Sequence, residues 1–541
     1  MFNTPKKKNI KQPRSPEDTL FLFFRCLLDY MVCAYILLIL AVMPFYFSDG
    51  YGYIGTDKAA FFTRVARDMC VPLIILLAVY GCLALIRYFR GNRRPWKQFK
   101  SSVSATDIFA AAYGLAVILS YLCSPYKSYA LWGAEHWYMG LFTQLALTAS
   151  YFLISRAWKP RKLMFYLMFP VSAAVFLLGY LNRFGIYPIK MEYASPSFIS
   201  TIGNLNWYCG YVVSVLFAGI ALLWLENAKK PWQRVLLTAY AALGLGTLVT
   251  QGSDSGVAAL AVVLITLFWL SVSSPGRMSG FWKIMLTFCG SCLFTYVIRK
   301  TGLAELNYQS EPMLLLLQEW FLFPMTVVSA FFFLWGKFDQ RRGVFRQKLY
   351  RIIAIILTGG VLLGIALLLI LAAVNTLHPG SLGPLSEHPM LSFSDRWGSR
   401  RGATWRAGWM CFTELDLLHK LTGAGPDAMW PFIVLDGSQE LYSMVVENFG
   451  ENISLANTHN EWLTVLVDTG ILGLAGFAGL MLASIRCFIR KAGKNPFVCA
   501  CGLCLLAYTI NNIFSFQQAM SASTIFVILG MGRAFERHTA S

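Results

Sequence analysis

The side chains best suited to chemistry crowd into one stretch, residues 376–459 and the few residues that follow. Arg396, Arg400, Arg401 and Arg406 stand there among Trp397, Trp405, Trp409 and Trp430. An arginine offers phosphate a fixed fork of donors and keeps its charge when desolvated. His459 opens the run HNEWL at the mouth of an apolar segment. Imidazole ordinarily titrates near neutral pH, so it can take a proton from a hydroxyl. Asn460 and Glu461 come next; they could orient that ring or an acceptor, or serve as the cap and first-turn carboxylate of the following helix. Far upstream, Asn204 and Asn206 begin another apolar run, where free N–H groups suit phosphate or sugar hydroxyls and where N-capping is the plainer role. Plainer roles exist for the others too. Arginines snorkel to lipid headgroups, Trp405 and Trp409 can anchor at a membrane interface as well as stack on sugars, and Gly423, Gly425 and Pro426 suit a turn.

The elements that must position these groups are membrane helices. Hydrophobic residues make up 57% of the 541 and charged residues only 13%, about half the charged share of a soluble domain. Apolar runs predict about fourteen transmembrane helices, near 21–46, 69–88, 104–122, 137–155, 162–181, 205–225, 234–250, 255–272, 281–298, 312–335, 350–375, 462–485, 496–512 and 520–535. The predicted fold is all-α and polytopic. Residues 1–20 form a basic tail, 21–375 hold helices one to eleven, 376–459 a long loop, and 460–541 the last three helices and a short tail. With the N-terminus inside, 33 of the 46 Lys and Arg fall on the cytoplasmic side, which fixes both termini there and the loop outside. The formal charge of +19 is thus a topology signal and a contact with anionic lipid, not a nucleic-acid footprint. The first apolar run is too long for a signal-peptide core and has no small-residue cleavage site after it, so it reads as a signal anchor. Five of the six His (His136, His378, His388, His419, His459) fall outside. In the loop, Trp405, Trp409, Phe412 and Leu415 share a helical stripe, predicting an amphipathic helix on the membrane surface. The 13 Cys show no disulfide framework; Cys499, Cys501 and Cys504 sit on an apolar helix and read as packing, and Asp107 reads as a cap or interfacial group.

GSRRGATWRAGW, GAGPDAMW and HNEWLTVLVDTGILGL occur in that order in and after the loop, preceded by TIGNLNWYCGYV and TQGSDSGVAAL. Together they resemble the O-antigen ligase and O-antigen polymerase family of bacterial membrane glycosyltransferases, over roughly residues 200–490. The resemblance implies transfer of a glycan from undecaprenyl diphosphate to a sugar hydroxyl of a glycan or lipid acceptor, on the outer face of the cytoplasmic membrane. It implies no cofactor and no metal. It makes Arg401 the loop arginine that clamps the diphosphate and His459 the functional histidine. Arg400, Arg406, Asn204, Asn206, Asn460 and Glu461 are candidate substrate contacts.

Two departures stand out. The chain carries about two more spans than the family pattern, between 281 and 349, and it has Asp254 where the family has the arginine of Ser-Arg-Gly. Arg400, beside Arg401, could supply the missing cation if GSRRG forms a turn, which Gly398 and Gly402 favour. The rival class is a transporter or lipid-glycan flippase; few charges lie mid-span, where a substrate path would put them.

Overall fold

The computed structural model describes residues 16–90, 103–226, 230–307 and 310–539; most of the basic N-terminal tail and much of the 87–100 basic stretch lie outside the described residues. The chain is an all-helical membrane protein. In order, the helices are α1 (Pro16–Leu37), α2 (Ile54–Val65), α3 (Val71–Phe89), α4 (Ala105–Cys123), α5 (Lys127–Trp132), α6 (Leu141–Ala157) and α7 (Lys162–Arg183). Then come α8 (Leu205–Trp224), α9 (Pro231–Thr250), α10 (Asp254–Ser271), α11 (Pro275–Lys300), α12 (Glu311–Leu316), α13 (Glu319–Arg342) and α14 (Gln347–Leu377). The loop holds α15 (Trp397–Glu414), α16 (Leu417–Thr422), α17 (Met429–Leu435) and α18 (Gln439–Phe449), and α19 (Glu461–Ile489), α20 (Pro496–Asn511) and α21 (Ala519–Thr539) close the chain. Strands β1 (Phe198–Ile199) and β2 (Gly203–Asn204) form a two-residue antiparallel ladder just before α8.

Among the described residues, ten helices are long and apolar enough to cross a membrane. The expected segments 137–155, 234–250, 496–512 and 520–535 are helical but fall short of that standard. The second helical stretch starts at Ile54 rather than near 69 and runs to Phe89 through a π-helical turn at Ala66–Cys70. Its first part carries Asp57, Lys58, Arg64, Arg67 and Asp68, so hydropathy hides it. It is helical because Ile54, Ala59, Phe62 and Val65 recur on one face and are buried there. The expected 312–335 span is broken at Leu317–Gln318, and α13 runs on to Arg342.

α8 is the hub. Nearly all of it is buried, from Tyr208 to Trp224, and its face packs along α20. α14 is the opposite case: its most apolar window is almost wholly uncovered, which suits a lipid-facing helix. It touches the bundle at few places, one being Trp269, whose Nε1 donates to Thr358 Oγ1 at 2.8 Å. At the end of the bundle away from His459, Asp107 closes a capping box with Ser104 and pairs with Arg156 at 2.8 Å and Arg533 at 3.0 Å. That one carboxylate ties α4, α6 and α21 together, more than the cap the sequence suggested.

The loop is folded, with a small core of its own. Ala407, Cys411, Met429, Phe432, Leu441 and Val445 are buried against one another.

Candidate functional site

The site forms where the loop meets the first turn of α19 and the 512–518 connection between α20 and α21. α15 brings the arginines there. It buries a stripe of small residues, Gly402, Ala403, Thr404, Ala407, Gly408 and Cys411. A Cβ at Gly408 would lie 2.4 Å from Thr458 Cγ2, so only glycine lets the helix sit this close to the α19 entrance. The predicted stripe is split as a result. Leu415 is buried, Trp409 is 57% exposed, and Trp405 packs on Trp397 and Phe514.

GSRRG does turn. Gly398, Ser399 and Arg400 take three consecutive left-handed conformations (φ 57°, 62° and 70°) inside the α15 segment. This turn does not aim the two guanidiniums at one acceptor. Arg400 is exposed and donates to Asn448 O at 2.7 Å, against α18. Arg401 is half-buried and donates from Nε to Phe514 O at 2.9 Å and from Nη1 to Gly398 O at 3.0 Å. Arg406 points elsewhere, to Asp395 at 3.4 Å and Glu440 at 3.8 Å.

His459 has a left-handed backbone (φ 53°), held by its N–H donating to Asn457 Oδ1 at 3.2 Å. Its ring meets Phe516 edge-on at 4.8 Å. The residue is half-buried overall, yet Nδ1 is sealed from solvent and has no hydrogen-bond partner. A buried ring nitrogen without a partner is unusual enough to need a reason. Burial, and secondarily the charge of Arg401, push its pKa from 6.5 down to about 4, so the imidazole is neutral at neutral pH. His459 and Arg401 therefore share one electrostatic environment, and both lean on the 512–518 connection.

Asn460 and Asn204 serve as caps. Asn460 Oδ1 accepts from the N–H groups of Trp462 and Leu463 at 3.0 and 3.2 Å. Asn204 Oδ1 accepts from Asn206 N at 2.9 Å, and Asn206 Oδ1 accepts from Ser253 Oγ at 2.9 Å, which joins the starts of α8 and α10. Asp254, the first residue of α10, lies within the field of Arg401. The loop arginine thus has a carboxylate, not a second cation, within its field.

Glu461 is not a solvated first-turn carboxylate. It is 4% exposed, and its Oε2 accepts from Gln517 N at 2.7 Å while its own N–H donates to Asn512 O and Ser515 O. It fixes the 512–517 backbone, and with it Phe514 and Phe516. Two further buried carboxyls, Asp427 and Asp468, line the same small polar cavity with Gln517, Asn457 and Trp137. Asp427 N donates to Asp468 Oδ2 at 3.1 Å, and Asp427 Oδ2 accepts from the N–H groups of Ala134 and Met139 at 2.8 and 3.0 Å. Burial pushes the Asp427 carboxyl up to about 7 despite those two donors. Both amide atoms of Gln517 and Asp468 Oδ1 are buried without partners.

A break in α19 lies beside this cavity. Gly470 takes φ 66° and ψ −169°, which frees the carbonyls before it. Ala424 N and Gly425 N donate to Val467 O and Asp468 O at 2.9 and 3.0 Å. Gly423 (φ 82°) passes so close that a Cβ there would lie 2.1 Å from Asp468 O. The turn read from Gly423, Gly425 and Pro426 is thus a docking segment for a broken helix. Sequence reasoning missed Asp427, Asp468 and Gln517. One signal was present: Glu461 and Asp468 are seven residues apart, on one face of one helix.

No protein-family model matches this chain, and no curated protein matches it in sequence.

Proposed function

We propose that the chain is a glycosyltransferase of the cytoplasmic membrane of bacteria, with about fourteen spans and both termini inside. It moves a glycan from undecaprenyl diphosphate to a sugar hydroxyl on a glycan or lipid acceptor at the outer face. The observation that carries this reading is the pairing of a neutral His459, whose buried Nδ1 has no partner, with the half-buried Arg401 guanidinium at the root of the loop. In the reaction, the acceptor oxygen attacks the anomeric carbon of the donor. The bond from that carbon to the diphosphate oxygen breaks, and the undecaprenyl diphosphate leaves with the electron pair. Arg401 answers the charge that develops on the leaving phosphate. His459 takes the hydroxyl proton at Nε2, the ring nitrogen that is not sealed.

An imidazole titrating at about 4 is a weak base. The donor itself corrects this. A diphosphate beside Arg401 offsets the charge that helps hold His459 low and raises its proton affinity once substrate is seated. The Trp137, Phe516 and Trp207 rings meet edge to face next to His459 and offer apolar faces to a sugar. Purified protein mixed with an undecaprenyl-diphosphate glycan and acceptor should release undecaprenyl diphosphate and lengthen the acceptor in equal amounts. His459→Ala should lower that rate by about 10²–10⁴-fold while donor binding persists. Wild-type turnover by a folded His459→Ala protein would overturn the assignment.

A further inference from the structure

The end of the bundle opposite His459 holds a larger and unrelated cavity. It is enclosed by the last turn of α8, the first turn of α9, the first half of α11 and the end of α13, with a volume of about 200 Å³. Its wall joins apolar and basic side chains: Leu222 and Phe333 on one part, Arg234, Lys283 and Lys337 on another, with Glu226 as the acidic member. Lys283 is half-buried, and among the described residues the ammonium groups of Lys283 and Lys337 make no hydrogen bond or ion pair. The nearest favourable contact of Lys337 is the Phe333 ring, 5.7 Å from the centroid. Lys283 lies within the fields of Arg234 and Lys337, which oppose its charge, and of Glu226, which supports it.

Lys283 and Lys337, two ammonium groups without a partner among the described residues, share the cavity with one carboxylate and leave positive charge uncompensated in a partly desolvated place. A singly charged anion would balance it. The apolar wall narrows the choice. It continues outward onto α13, where Phe331, Leu334 and Phe338 are 49%, 66% and 51% exposed, so an acyl chain leaving the cavity would run along apolar surface. The cavity also stands at the level of the Lys- and Arg-rich helix ends, where anionic headgroups gather. We propose that this cavity binds the phosphodiester headgroup of an anionic phospholipid. Lys283 and Lys337 hold the phosphate, and the acyl chains lie against α13. The lipid thereby fastens α13 to α8 and α9, with which α13 otherwise has little shared surface: its main neighbour is α11.

The full chain, purified in detergent, tests this without any glycan substrate, so the result is independent of the transfer reaction. Titration with phosphatidylglycerol, phosphatidylcholine and inorganic phosphate is followed by native mass spectrometry and thermal melting. Phosphatidylglycerol should stay bound and raise Tm, and the other two should do neither at matched concentration. The double variant Lys283→Gln, Lys337→Gln should bind phosphatidylglycerol roughly 30-fold more weakly, from on the order of 1 kcal/mol for each of the two cations. The single variant Lys337→Gln changes only an exposed side chain, so it reports the loss even if the double variant does not fold. Equal affinity for phosphatidylcholine, equal affinity of the variants, or inorganic phosphate binding as tightly as the lipid would each overturn the proposal.

Discussion

The coupling between Arg401 and His459 can be tested by removing one charge. His459 is held from 6.5 down to about 4, and burial is the larger cause, with Arg401 second. The arginine therefore supplies less than half of the depression. Arg401→Gln should raise the His459 pKa by roughly one unit, equivalent to about 1.4 kcal/mol. Arg401→Lys keeps the charge and should leave His459 close to where it stands. The assay is an NMR titration of protein labelled at histidine, with the His459 signal identified by its loss in His459→Gln. The same shift has a consequence for stability. The folded state binds this proton only near pH 4, whereas the unfolded chain binds it near 6.5. Stability from the neutral imidazole is complete above 6.5 and is lost as the pH falls toward 4, by about 3 kcal/mol at most. In Arg401→Gln the loss should be smaller. An unchanged or lower His459 pKa in Arg401→Gln would refute the electrostatic link, and an equal rise in Arg401→Lys would assign it to packing.

Other perturbations probe the frame around the site. Arg400→Ala should retain much more transfer activity than Arg401→Ala, because Arg400 points to Asn448 on α18 whereas Arg401 points to the 512–518 connection that also carries the His459 contact; equal losses, normalised to protein in the membrane, would contradict that. Gly423→Ala forces a Cβ into Asp468 O at a left-handed residue and should cost at least about 1–3 kcal/mol, read as a lower Tm. Asp427→Asn keeps an acceptor for Ala134 and Met139 without the charge, so it should stabilise the protein above pH 7 relative to wild type and not below pH 4, in melts across that range. Asp107→Asn leaves Arg156 and Arg533 without a shared counter-charge and should destabilise by about 3 kcal/mol, measured by denaturation in detergent.

The helices of the bundle were legible because a lipid-facing backbone must be helical and an apolar run marks it. Where charge interrupts the run the reading failed, as over 54–68, where burial of one face makes the helix instead. That the loop holds residues able to do chemistry, Arg401 and His459 among them, could be read from residue type. Their directions could not. Three left-handed residues in a row send Arg400 and Arg401 to different carbonyls, and no spacing rule encodes that. The carboxyl-lined cavity sits beside Gly470, which breaks a helix that looks continuous in sequence. Only the 461 and 468 spacing hinted at it, since Asp427 and Gln517 arrive from distant segments.

The most direct measurement is a proteoliposome assay that follows bond transfer and lipid movement together, using a fluorescent short-chain undecaprenyl-diphosphate glycan and an acceptor in the outer leaflet. The account predicts new glycosidic product with equimolar undecaprenyl diphosphate, lost in His459→Ala and Arg401→Ala. Movement of intact lipid-linked glycan between leaflets, with no product formed, would contradict it.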